Sequence, residues 1–418
     1  MRALRLNPIA ASPLAAAVGP RALLGTPNYL RLWLAGAVGN GMRWLELLVA
    51  GIFTYDLTHS TLAVAVVTVA RTLPMLFMGA LAGAVGEAAN RKAVLVGQLV
   101  LLAATSASLG YLALRGALTV AAIVAGGAVS GMAWAAEMSV RRRMIGEAVP
   151  PVQAGPAIAL DTLTGSVTRM LGPLLGGALY QTLGIGGAYL LSAALYGAAA
   201  LAVLGLDLRQ EKRRLNFGRL PADIAEGLAV ARRNPVILGV ILVTIITNFF
   251  GFCYATLIPP IGLHEYRVSP VWVGMLAAAE PVGATLSGIL FSIGALALDR
   301  RDAMLRGSFL FLAGLVVMAL APWYWLAFCV LCLTGLGTAV FSIKQTTLIL
   351  DEAPSPMRSR VMGLVTVCIG TGPIGTLLIG ALALWCGASL AILAMAGLGL
   401  LGLTLVGLYL AAFRRRLM

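Results

Sequence analysis

Apolar runs of eighteen or more residues recur along the whole chain, and no other feature so narrows what it can fold into. Leu62 to Val85 carries one charge, Arg71, and Ala93 to Leu114 carries none. As a helix, each such run is long enough to cross a hydrocarbon core of roughly 30 Å. The 418 residues are 60% hydrophobic and only 11% charged, with a mean hydropathy of +0.94. That leaves too little polar surface for a water-soluble domain. The expected class is an all-α integral membrane protein.

Twelve spans are expected, at 30–55, 62–86, 92–114, 118–140, 156–180, 186–207, 236–260, 271–298, 303–321, 324–346, 360–383 and 388–412. One long polar segment, 207–235, divides them into two halves of six. The expected order is an N-terminal tail 1–28, a first half 29–207, a linker 208–235, a second half 236–412 and a basic tail 413–418. Residues 222–233 can form an amphipathic helix at the membrane face, a merely solvated linker being the alternative. Lys and Arg gather in the segments that one alternating topology places on a single side, whereas the opposite loops hold only Arg115 and Arg267. Both termini are therefore expected in the cytoplasm. The opening MRALRLNPIAASPLAAAVGPR reads as a cytosolic tail and not a cleaved leader, because proline twice interrupts its apolar patch.

The net charge of +14 comes from small clusters between apolar runs. It therefore reads as topology, with no nucleic-acid partner. The five cysteines fall inside expected spans and read as buried apolar thiols; Cys329 and Cys332 form a CxxC without nearby His or further Cys ligands. The sequence has no phosphate-cradling loop and only two histidines, His59 and His264. No catalytic residue, metal or cofactor is expected, and an ion gradient is the expected energy source.

Between the second and third spans lies a polar island, GAVGEAANRK, residues 83–92. It resembles the Gly-x-Leu-Ala-Asp-Arg-x-Gly-Arg-Lys motif of the major facilitator superfamily. Gly83 takes the first glycine, Glu87 the acid, and Arg91 and Lys92 the basic pair; Ala88 and Asn90 depart from the pattern. Asn90 is expected to supply the left-handed turn of the missing glycine. MLGPLLGG, residues 170–177, resembles the fifth-helix antiporter motif through Gly172, Pro173, Gly176 and Gly177. NYLRLW, TYDLTHS, ARTLP, DIAEGLAVARRNPVI and RSRVMGL are similar to the transmembrane secretion-effector branch, which includes the enterobactin exporter and macrolide efflux pumps. The resemblance implies two halves of six helices rocking about a midplane cavity. It also implies that Glu87 and Arg91 latch the cytoplasmic side. One departure is the absence of arginine from the fourth span, 118–140, where many proton-driven members carry one.

Ionisable residues at membrane depth are costly and face a cavity or a partner. Arg43 and Glu46, three apart, share a face of the first span. Arg71 lies roughly 15 Å into the second, Arg169 at mid-depth in the fifth, and Glu280 at mid-depth in the eighth beside Pro281. Asp161 and Lys344 read as edge residues. Thr244, Thr247, Asn248, Gly251 and Tyr254 form a polar stripe on the seventh span. The expected substrate cavity is Arg43, Glu46, Arg71, Arg169, Asn248 and Tyr254, with structural ion pairs such as Arg43 with Glu46 as the alternative. Three arginines against two glutamates would favour an anionic or zwitterionic substrate. Glu280, with no basic neighbour on its own helix, is the expected proton carrier, and Glu46 a partner of Arg43.

The expected function is secondary active export of small amphipathic or anionic molecules, driven by protons, by a monomer in a bacterial inner membrane. Uptake of an organic anion or lysolipid flipping would use the same fold. A receptor or assembly factor would keep the fold without transport, and would need no latch.

Overall fold

The structure is a computed structural model describing residues 20–88, 90–207, 220–292 and 302–417, and every regular element among them is helical. After a single turn, Pro20–Leu24, come α1 (Pro27–Thr58), α2 (Thr61–Ala88), α3 (Arg91–Leu114), α4 (Val120–Glu147) and α5 (Pro151–Leu204). Then follow α6 (Leu220–Arg233), α7 (Pro235–Ile246), α8 (Pro270–Ser292) and α9 (Ala303–Ala319). The chain closes with α10 (Tyr324–Glu352), α11 (Arg358–Ile369), α12 (Gly372–Cys386) and α13 (Ala388–Leu417). Seven helical stretches among the described residues are long and apolar enough to cross a membrane.

The ends of these helices follow local chemistry. The Asn90 side chain accepts a hydrogen bond from the Ala93 amide, so Asn90 caps α3. Its φ of −67° corrects the expected left-handed turn. Thr119 and Asn234 cap α4 and α7 in the same way. The expected spans 156–180 and 186–207 are present as two helices that run together in α5 and meet at Gly184, whose φ of 66° and ψ of −179° suit glycine alone. Beyond α7 the helix is irregular: a π turn at Thr247–Gly251, a 3-10 segment at Phe252–Leu257 and another π turn at Ile261–Glu265. Pro259 and Pro260 lack the amide hydrogens that a regular ladder needs.

Two further expectations need correction. The helix α4 runs on past residue 140 to Glu147, so Arg141 belongs to it and the expected absence of an arginine there does not hold. The cysteines are not uniformly buried: Cys253 and Cys368 are, Cys332 is half-buried, and Cys329 and Cys386 are exposed on the outside of the bundle. The amphipathic linker helix is present as α6, and Glu226 on it pairs with Arg360 of α11.

Two apolar cores form. Leu32, Leu45, Leu99, Ile123 and Tyr196 belong to one, built from α1 to α5. Ile237, Leu257, Phe311, Leu331 and Ile392 belong to the other, which also takes in Leu48 and Ile52 of α1. The two sets of helices meet near the loops at 59–60 and 266–269. There the Thr61 hydroxyl donates to the Gly380 carbonyl at 2.9 Å, and the Val271 amide donates to the Gln181 side chain at 3.4 Å.

Candidate functional site

Close approach of small residues sets the site. A Cβ on Gly172 or Gly176 would run into α1 at Trp44 and Leu45, and one on Gly177 would overlap the Pro270 carbonyl of α8. Gly274 of α8 in turn abuts Pro173. The fifth-helix motif is thus a packing seam, with α5 wedged against α1 on one side and α8 on the other. On α4, a Cβ on Gly131 would overlap the Arg71 carbonyl of α2. Gly36 and Gly39 of α1 leave room for the Arg141 and Glu137 side chains of α4.

Three ionic clusters occupy the space that these contacts define. In the first, Arg71 donates to Glu46 at 2.8 Å and Ser106 donates to its other carboxylate oxygen at 2.7 Å. Glu46 is 1% exposed. The expected pairing of Glu46 with Arg43 is therefore wrong: α2 and α3 deliver better-placed donors to Glu46 than its own helix does. Beside this pair lies a small cavity, with room for about one water, lined in part by Ser130, Tyr189 and Gly127.

In the second, Arg141 binds Glu137 one turn away at 2.8 Å and also pairs with Asp161 of α5. All three are buried, which corrects the reading of Asp161 as an edge residue. Tyr29 fixes the same corner by donating to the Ala157 carbonyl at 3.1 Å. This cluster was missed because the fourth span was ended one residue too early, although the i,i+4 spacing of Glu137 and Arg141 was a usable signal.

The third cluster joins the two sets of helices. Arg169 of α5 donates to Glu280 of α8 at 2.6 Å, and Thr338 of α10 donates to the other Glu280 oxygen at 2.5 Å. The Arg169 side chain is 35% exposed, whereas that of Glu280 is 1% exposed. Glu280 has no basic neighbour on its own helix, but the premise that it stands free of cations fails.

Arg43 makes a different set of contacts. Its guanidinium stacks 4.1 Å over the Trp134 ring and 5.4 Å from that of Trp44, which Arg169 also approaches at 5.7 Å. With Arg141, Glu137 and Asp161 added, four arginines (Arg43, Arg71, Arg141 and Arg169) stand against four carboxylates (Glu46, Glu137, Asp161 and Glu280), so the expected excess of positive charge does not hold, although Arg43 itself joins no ion pair among the described residues. Asn248 and Tyr254 are buried. Asn248 donates to the Thr244 carbonyl at 2.9 Å, and Gln345 of α10 donates to the Thr244 hydroxyl at 2.7 Å. The polar stripe thus serves helix contacts at these positions.

The basic pair of the polar island is tied inward. Arg91, 2% exposed, binds Glu147 at the end of α4, and Lys92 donates to the Leu206 carbonyl at 2.7 Å. The side chains of Gly83 and Glu87 lie outside the described residues.

Helices long and apolar enough to cross a membrane, with ion pairs buried between them, define a polytopic membrane bundle. The profile of the Major Facilitator Superfamily matches residues 32–372, and the chain belongs to that family. Among curated proteins it is similar to the enterobactin exporter EntS of Citrobacter koseri, 29% identical over 226 residues. The match covers 53% of this chain and 52% of that protein, so the chain spans about half the length of the curated relatives it matches. Among solved structures it resembles the POT family transporter PepTSo, with a TM-score of 0.72 and 13% identity over 93% of this chain and 99% of that one. It also resembles a bacterial homologue of the human lysosomal transporter Spinster in an inward-facing, unoccupied conformation. The TM-score there is 0.65, with 15% identity over 92% of this chain and 95% of the other. These likenesses establish the fold, and the family match makes the chain a multi-pass membrane protein of the major facilitator superfamily.

Proposed function

We propose that the protein is a proton-coupled secondary exporter of small amphipathic or anionic molecules, working by alternating access in a bacterial inner membrane with twelve crossings and both termini in the cytoplasm. The observation that carries this reading is the Arg169–Glu280 pair, which ties α5 to α8 at mid-depth with its arginine half open to solvent. A proton on Glu280 removes one charge of that pair and frees Arg169 for an anionic substrate, so one event alters both ligand affinity and the seam between halves. Glu46, held by Arg71 and Ser106, organises the first half. Among the described residues, polar contacts between the halves lie near loops expected outside the cell and at the mid-depth Arg169–Glu280 pair. Glu87, with Arg91 and Lys92, would latch the cytoplasmic side in its closed state. Similarity to the enterobactin exporter over part of the chain supports export over uptake.

The test is transport in proteoliposomes under an imposed pH gradient, across siderophores, drugs and lysolipids. Glu280→Gln abolishes accumulation against a gradient while retaining exchange of a bound substrate. Accumulation by Glu280→Gln at the wild-type rate would remove Glu280 from coupling. An absence of substrate-dependent proton flux in the wild type would favour the non-transporting alternative.

A further inference from the structure

Among the described residues, Arg43 differs from the other arginines buried between helices: it joins no ion pair. Its Nη1 is enclosed and has no hydrogen-bond partner, and the indole Nε1 of Trp134 is in the same condition. The guanidinium carbon lies over the Trp134 ring, 4.1 Å from its centroid, so these two vacant donors belong to one assembly between α1 and α4. Glu137, on the same helix as Trp134, is already engaged by Arg141 at 2.8 Å. Stacking on an aromatic face offsets part of the cost of burying a cation, but it supplies no acceptor for the N–H groups. A bridging water can accept from both donors but leaves the charge in place.

We infer that Arg43 and Trp134 form the seat for the carboxylate of the transported molecule. The inference rests on the transporter reading above and names a substrate class for it. A carboxylate has two oxygens, one for the guanidinium and one for the indole N–H, and its charge matches that of Arg43. Both side chains remain partly exposed, so an anion entering between α1 and α4 reaches the two nitrogens after a rotamer change of Arg43. Trp44 places the seat next to the mid-depth pair: its ring is approached by Arg43 from one helix and by Arg169 from another. Trp134 acts as a specificity-determining residue because its N–H is directional, whereas the charge of Arg43 is not.

The seat is tested by binding to the purified full-length chain in detergent, using benzoate and octanoate as probes against benzamide and octanamide. The wild type binds each acid about tenfold or more tightly than its amide, the scale of a charge-assisted hydrogen bond. Arg43→Gln loses that preference, and Trp134→Phe, which keeps the ring under the guanidinium, weakens acid binding alone. Arg43→Gln also keeps or raises the melting temperature, because it removes a buried charge that has no direct partner; a structural arginine would lower it. If Arg43→Gln does not fold, Arg43→Lys serves instead, keeping the charge and losing the two-point geometry, with weaker acid binding and a surviving preference. Equal binding of acid and amide by the wild type, or an undiminished preference in Arg43→Gln, overturns the seat. Wild-type transport without any acid preference overturns the seat and leaves the transport reading standing. Acid preference lost in Arg43→Gln, with no transport by the wild type, supports the seat and removes that reading.

Discussion

A carboxylate enclosed by apolar helices is costly without a cation and further hydrogen bonds around it, because desolvation otherwise exceeds the gain from pairing. Glu46 meets that condition through Arg71 and Ser106, and Glu280 through Arg169 and Thr338. Removing one partner of such a pair leaves the other charge stranded. Arg71→Leu therefore lowers stability by about 3–5 kcal/mol, while Arg71→Leu combined with Glu46→Leu recovers most of the loss. Thermal unfolding in detergent measures both; a double variant no more stable than the single one would show that the two residues do not act as a pair. Spacing along one helix placed Arg43 beside Glu46, yet the partner of Glu46 came from α2. Sequence shows which ionisable groups are costly, but only the packing of three helices decides who neutralises whom.

Helices that pack tightly in a membrane depend on where side chains are missing as much as on where they are present. Gly172, Gly176 and Gly177 illustrate this on α5, and their motif was legible because glycine spacing is a local property of the chain. The same reasoning failed at element ends. The charged run Arg141 to Arg143 looked like a loop, since three arginines in hydrocarbon are improbable, but α4 carries Arg141 inward to meet Asp161. The break in α5 was expected and its cause is a single residue. Gly184 adopts φ 66° and ψ −179° with open space where a side chain would point, so a substitution there strains only the backbone. Gly184→Ala lowers stability by about 1–3 kcal/mol, read as a drop in melting temperature. No change would mean that α5 bends elsewhere in solution. The irregular run after α7 was not legible, because its π and 3-10 turns answer to contacts with other helices, such as Gly251 against Phe311 and Gly375 against Phe249.

Taken as a whole molecule, two apolar cores meet along α5 with α8 and α2 with α12, and among the described residues one ion pair, Arg169 with Glu280, crosses between them at mid-depth. Among the described residues few polar contacts join the halves, which is compatible with pivoting that leaves either core intact. The account predicts that the two ends of the bundle move in opposite senses when the substrate or proton load changes. Its most direct test places paired spin labels at exposed positions, in a background with the five native cysteines replaced by alanine. One pair, Val152 with Leu350, reports the end expected to face the cytoplasm, and the other, Leu57 with Leu320, reports the opposite end. Distances are measured in lipid nanodiscs at high and low pH, and again with Glu280→Gln to mimic the protonated state. The account predicts that one distance lengthens as the other shortens, and that Glu280→Gln reproduces the low-pH distribution at high pH. Distances that stay fixed at both ends under every condition would contradict alternating access by this chain.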